Sequence, residues 1–190
     1  MAADGVVMTV VLITGPSGVG KDSLLGFAKN HFAGDGKIVF TRRYITRPPD
    51  ENELNYFVDP GAFGLLRDGN FFVSHWRAHG NYYGIAKSEF LPHNGDYLSL
   101  VSVSRGAIRD FERLFDRVIT LQLTAGYDIL RQRLLVRGRE DEEAVAERLA
   151  GASLPVNAEN RIIFDNSEEL SKSGRRFAEL ITALIEGRSI

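Results

Sequence analysis

The sequence predicts an α/β fold, a parallel sheet flanked by helices, and three observations carry that prediction. Residues 6–14 form a short, uninterrupted, β-branched run, as expected of a strand buried on both faces. Strand-like and helix-like segments then alternate along the chain, the pattern of a parallel sheet covered on both sides. A glycine-rich turn, Gly15 to Lys21, joins the first strand to the first helix. At 190 residues, with 44% hydrophobic and 25% charged, the chain reads as one ordered domain with inserts.

Each element follows in order. After the strand at 6–14, residues 22–31 place Leu24, Leu25, Phe27 and Ala28 at helical spacing. Residues 37–40 are a second strand. Residues 96–103 are a third, followed by a helix over 108–115. Residues 117–123 are a fourth, followed by a helix over 127–136. A last strand at 162–164 precedes a C-terminal helix over 167–186. Two segments depart from this rhythm. Residues 42–94, rich in Pro, Gly, Asn and aromatics, alternate like small antiparallel strands and read as an inserted acceptor-binding subdomain. Residues 131–151 carry the charged block Arg-Gly-Arg-Glu-Asp-Glu-Glu in a helical context, which suits a solvent-facing lid.

Composition removes several classes of function. With no cysteine, disulfides, thiolate nucleophiles, iron–sulfur clusters and cysteine-bound zinc are excluded. A net charge of -2 and a pI near 6.1 give no global basic field for nucleic acid or a membrane surface. The longest apolar run, residues 6–13, is too short to span a bilayer. No basic residue precedes it and no small-residue cleavage site follows, so the expectation is a cytoplasmic protein with a short disordered lead over residues 1–5. One imbalance stands out: 18 arginines against 5 lysines. Codon usage explains such a ratio, but the arginine fork also suits phosphate, so position decides.

Gly15, Pro16, Ser17, Gly18, Val19, Gly20 and Lys21 match the phosphate-binding loop in residue type and in context, after a buried strand and opening a helix. Glycines let backbone N–H groups converge on phosphate oxygens, and the helix N-terminus adds its positive end. Lys21 then reaches the β- and γ-phosphates of ATP. The fold class is thereby narrowed to a P-loop fold. The next position usually carries a Ser or Thr that binds Mg²⁺; here it is Asp22, with Ser23 displaced by one. Asp22 and Ser23 are the expected Mg²⁺ ligands, the other reading of Asp22 being a first-turn acid on the helix dipole.

The arginines cluster. Arg42, Arg43, Tyr44 and Arg47 stand where the chain enters the insert, placed to hold an acceptor's phosphate; a solvated basic loop is the alternative. Tyr82 and Tyr83 lie between Gly80 and Gly84, with hydroxyls able to reach phosphate or sugar, packing being the alternative for Tyr82. Arg133, Arg137, Arg139 and Arg148 fall in or beside the lid, where they close over a transferring phosphoryl group or pair with the acidic residues at 140–143. His75 and His79 sit four apart but lack a third metal ligand in register. Asp165 and Asn166, after the last strand, are candidate adenine readers.

In this order of motifs the chain resembles the guanylate kinase family: the phosphate loop, Thr46-Arg47 leading to Tyr56-Phe57-Val58, Gly80-Asn81-Tyr82-Tyr83-Gly84 and the Arg-Gly-Arg lid. The positions that read guanine differ. Arg43 replaces a serine, Asp50 an arginine, Ser74 a glutamate and Ile85 a serine. A guanine site without its acidic acceptor rejects GMP. With Gly-Lys-Asp-Ser-Leu-Leu, residues 43–47, Ser74-x-Trp76-x-Ala78-x-Gly80, Ser104-Arg105 and residues 130–140, the chain is similar to the ribose 1,5-bisphosphate phosphokinases of bacterial phosphonate degradation, over roughly residues 8 to 165. That resemblance implies ATP plus ribose 1,5-bisphosphate giving ADP plus 5-phosphoribosyl 1-diphosphate. It implies Lys21, Arg137, Arg139 and Arg148 in catalysis, residues 15–23 and Arg133 on the nucleotide, and Arg42, Arg43, Tyr44, Arg47, Ser74 and Tyr83 on the acceptor. A guanylate kinase and a non-catalytic binding module of the same fold are the competing readings. The expected partner is a small phosphorylated sugar, with neither nucleic acid nor membrane; a homodimer is left open.

Overall fold

The computed structural model describes residues 7–48, 55–91, 95–137, 146, 149, 151 and 154–188. The expected lead at 1–5, Asp50 and most of the lid at 131–151 lie outside them.

Strand β1 (Met8–Thr14) is the centre of a five-stranded parallel sheet in the order β2-β7-β1-β8-β9. The flanking strands are β2 (Ile38–Phe40), β7 (Tyr97–Ser102), β8 (Val118–Thr124) and β9 (Arg161–Asp165). Central placement is why β1 is apolar at consecutive positions: Val10 to Ile13 have 0% exposure. Alternation divides its side chains between two cores. Val11 and Ile13 join Leu98, Leu100, Leu121 and Leu123 beneath helices α1 (Lys21–His31), α4 (Tyr127–Arg137) and α5 (Leu170–Ile185). Val10 and Leu12 join Val101 and Val103 with Ile108 and Phe111 of α3 (Ile108–Leu114) on the other face. Each such side chain contributes about 1.5–3 kcal/mol by leaving water.

Residues 43–86 build a second sheet in the order β4-β3-β6-β5, from β3 (Arg43–Ile45), β4 (Asn55–Phe57), β5 (Phe72–Ala78) and β6 (Asn81–Ala86). Two of its three pairings are antiparallel, as the alternation predicts, but β3 and β4 run parallel. A helix the sequence reading did not anticipate, α2 (Pro60–Asp68), connects β4 to β5. Its signal is local: the Asp59 side chain accepts from Gly61 N and Ala62 N, and Pro60 takes the first turn, where a missing N–H costs nothing. The last strand is longer than expected, and the C-terminal helix starts three residues later, at Leu170.

Chain order reverses at β1: α1 carries the chain across β7 to β2, and the later strands β8 and β9 lie on the opposite side. In open parallel sheets the crevice at the carboxyl ends of the strands, at this switch point, is where ligands bind. The glycine-rich turn follows β1 at that place.

Candidate active site

An open cleft of about 1220 Å³ lies at this edge, lined by the turn after β1, by Arg43 and Tyr83 of the second sheet and Arg47 just beyond β3, and by Arg105, Arg133 and Asn166. One wall is backbone geometry. Gly20 sits at φ 90°, a conformation costly for other residues, and a Cβ there would lie 2.6 Å from Asn166 Nδ2. Gly15 is equally constrained, since its Cβ would lie 2.6 Å from the carbonyl oxygen of Leu123. Side chains from distant elements hold the loop. Asn166 donates through Nδ2 to Val19 O at 2.6 Å. Arg133 on α4 donates to Asn166 O at 2.9 Å and to Glu168 O at 3.3 Å, with a longer bond to Val19 O at 3.4 Å. A cation bound to carbonyls keeps its full charge beside the loop. Asn166, expected as an adenine reader, is 3% exposed and serves as this latch.

Lys21 folds back along the loop, its Nζ donating to Gly15 O at 2.8 Å and Pro16 O at 3.0 Å. Val19 is fully buried and shapes the loop from below. Gly18, Ser17, Pro16, Asp22 and Ser23 line the cleft. Asp22 and Ser23 offer hard oxygens there, which suits a Mg²⁺ ion delivered with a polyphosphate. Among the described residues no cluster of three or more acidic or histidine side chains forms a cage of its own, the His75–His79 pair included.

The second wall divides the acceptor candidates. Arg43 enters the cleft, its NH2 on Asp22 Oδ1 at 3.0 Å, NH1 on Ser102 Oγ at 3.2 Å and Nε on Asn55 Oδ1 at 3.1 Å. Arg47 lines the cleft and donates to Pro48 O at 3.1 Å. Tyr83 does so with its ring parallel to Trp76, centroids 5.7 Å apart. Three expected contacts go elsewhere. Arg42 lies with its guanidinium 5.4 Å over the Tyr56 ring. Tyr44 packs among Tyr56, Phe71 and Phe72, and burial, then Tyr56 and Glu89, raises the pKa of its hydroxyl. Ser74 is buried and donates to Asp110 Oδ2 at 2.6 Å. Alternation along β3 turns Tyr44 away from the face that Arg43 presents. Arg42 precedes the strand, and Ser74, although it shares its parity with Trp76 and Ala78, lies farther along β5 against Asp110 of α3. Tyr82 stacks on Phe63 at 5.5 Å and is a packing residue.

Arg105 is a cleft residue to which the sequence assigned no role. It donates to Leu154 O at 2.7 Å and Gly151 O at 2.6 Å, tying the last residue of the expected lid and the segment after it to the cleft wall; burial lowers its pKa. Ser104-Arg105 was visible as a motif, but nothing local indicates that its partners are carbonyls some 46 to 49 residues away. Arg139, Arg148 and the side chain of Arg137 lie outside the described residues. No described helix is long and apolar enough to cross a membrane.

No family model matches the chain. It is 35% identical over 182 residues to the ribose 1,5-bisphosphate phosphokinase PhnN of Desulfomicrobium baculatum, covering 94% of this chain and 97% of that protein. Identity to the protein of the same description from Rhizobium etli is 32% over 178 residues, with 93% and 90% covered. For the one from Ruegeria sp. it is 38% over 166 residues, with 85% of each covered. Among solved structures, guanylate kinase of Anaplasma phagocytophilum superposes with a TM-score of 0.56 at 17% identity, over 94% of this chain and 86% of that one. A gluconokinase of Sinorhizobium meliloti superposes with a TM-score of 0.51 at 16% identity, over 94% of each. At such identities the structures speak for the fold, and the fold is that of a P-loop kinase.

Proposed function

The chain belongs to the ribose 1,5-bisphosphate phosphokinase family, which makes it an ATP-dependent phosphotransferase, and from that premise we propose how its residues move the phosphoryl group. An oxygen of the acceptor's 1-phosphate attacks the γ-phosphorus of ATP in line. The bond to the β,γ-bridging oxygen breaks, its electron pair leaves on ADP, and the product is 5-phosphoribosyl 1-diphosphate. A phosphate acceptor is already largely ionised near neutral pH, its second pKa being about 6, so the step requires no general base. Bringing two polyanions together is the difficulty, and positioning and neutralisation overcome it.

The loop N–H groups and Lys21 hold the β- and γ-phosphates, with Arg133 adding fixed positive charge behind the loop. Asp22 and Ser23 would hold the donor's Mg²⁺, which would supply charge neutralisation when bound. Arg43 and Arg47 take the acceptor's phosphates, and Tyr83 borders the sugar. To Arg137, Arg139 and Arg148 falls the neutralisation of charge on the transferring group.

One observation supports the acceptor assignment above the others: Arg43 of the second sheet and Arg47 just beyond β3 share a cleft with the phosphate loop, while the position of a guanine-reading carboxylate holds Ser74, buried against Asp110. ADP release with ribose 1,5-bisphosphate, ribose 5-phosphate and GMP as acceptors tests the reading. The bisphosphate is expected to be turned over fastest. Faster turnover of GMP would support a guanylate kinase instead, and peptide binding without ATP turnover a non-catalytic module.

A further inference from the structure

Two departures from pattern, Asp22 where the phosphate-loop pattern has Ser or Thr after the lysine and Arg43 where the guanylate kinase pattern has a serine, are far apart in sequence. In the structure they touch, Arg43 NH2 donating to Asp22 Oδ1 at 3.0 Å. The pair spans the molecule's two halves: Asp22 opens α1 behind the phosphate loop, and Arg43 opens β3 of the second sheet. The remaining donors of Arg43 are aimed by Ser102 of β7 and Asn55 of β4. Three acceptors on three elements fix the plane of a guanidinium that is only 12% exposed. Of the three, only Asp22 carries charge, and its Oδ1 accepts from NH2 as a single phosphate oxygen would. At 29% exposure, water reaches Asp22, so it can change partners without desolvating an ion.

We propose that Asp22 is a positioning residue that links the two substrate sites through Arg43. This rests on the function proposed above. With the donor site empty, Asp22 occupies Arg43 as an internal substitute for the acceptor's phosphate. When the metal-bearing triphosphate binds, Asp22 turns its carboxylate to it and yields the guanidinium, still aimed by Ser102 and Asn55, to the acceptor. A doubly charged phosphate is the stronger acceptor once that competition is removed. Donor and acceptor therefore bind with positive coupling, and the acceptor site stays closed to stray phosphate esters until ATP is in place. By reciprocity, acceptor binding tightens the nucleotide by the same factor.

Calorimetric titration of ribose 1,5-bisphosphate tests this, with and without Mg²⁺ and the β,γ-imido analogue of ATP. In the unaltered protein, the analogue with Mg²⁺ is expected to raise acceptor affinity by about tenfold, the usual size of such coupling, and the analogue without Mg²⁺ to leave it unchanged. Asp22→Asn and Asp22→Ser are each expected to bind the acceptor without nucleotide about as tightly as the unaltered protein does with it, the coupling falling to about one. Asp22→Glu restores coupling in part. If Asp22→Asn weakens the acceptor in both states, Asp22 is a static strut and the link is wrong. If affinity for both ligands rises but coupling persists, the effect is bulk charge, and the link is again wrong. An unaltered protein that binds GMP and not ribose 1,5-bisphosphate overturns the functional reading itself; one that binds the bisphosphate without coupling overturns the link alone.

Discussion

The two walls of the cleft are built on different principles. The phosphate-loop wall is made of backbone: glycines at φ 78° and 90°, a helix start, and latches from Asn166 and Arg133 that end on main-chain carbonyls. The second-sheet wall is made of side chains on strands three to seven residues long, where facing the cleft depends on strand parity. Backbone recognition is encoded locally and tolerates no substitution. Side-chain recognition is encoded by register, and neighbouring residues of the same type have opposite fates, as Arg43 and Arg42 do.

The sharpest contrast is chemical. Lys21→Ala is expected to reduce kcat by about a thousandfold or more, because it removes the cation that offsets charge developing on the transferring phosphoryl group. His79→Ala is expected to keep a measurable rate, since no base is required; comparable loss from both would mean that the chemistry needs a base. Next comes geometry. Gly20→Ala places a Cβ against Asn166 and forces a non-glycine residue into the left-handed region, so nucleotide binding should weaken by roughly one to two orders of magnitude, read by titration of the ATP analogue. On the second wall, Arg43→Ala is expected to raise the KM for the acceptor by about 10- to 100-fold, the worth of a charged hydrogen bond. Arg42→Ala, by the same assay, should change it less than about twofold. Equal effects would show that strand parity does not divide the cluster. The smallest effect concerns Ser74: Ser74→Ala should cost about 1–3 kcal/mol in denaturant unfolding, by leaving the Asp110 carboxylate short of a donor, with the acceptor KM unchanged.

This contrast also explains what could be read without coordinates. The sheet, the loop and the α/β class were legible because β1 is apolar at four consecutive buried positions, Val10 to Ile13, and the loop's glycines sit in one short segment. The latch was not, because Asn166 meets Val19 across 147 residues and an asparagine after a strand carries no mark of its target. Arg105 was missed for the same reason. On the second wall, the cluster was visible but its division was not. Ser74 and Tyr44 have plausible chemistry for binding, and only packing shows that Ser74 turns to Asp110 and Tyr44 to Phe71 and Phe72. Asp22 and Arg43 were each visible as departures from a pattern; their pairing required the fold.

The central claim is that this cleft transfers a phosphoryl group to a phosphate oxygen and not to a hydroxyl or a nucleotide. Phosphorus NMR of the protein turning over ATP and ribose 1,5-bisphosphate tests it directly. The account predicts loss of the sugar 1-phosphate signal and growth of a pair of mutually coupled diphosphate signals on the ribose, in step with ADP. A new phosphomonoester signal with the 1-phosphate intact, or no change until GMP is added, would contradict it.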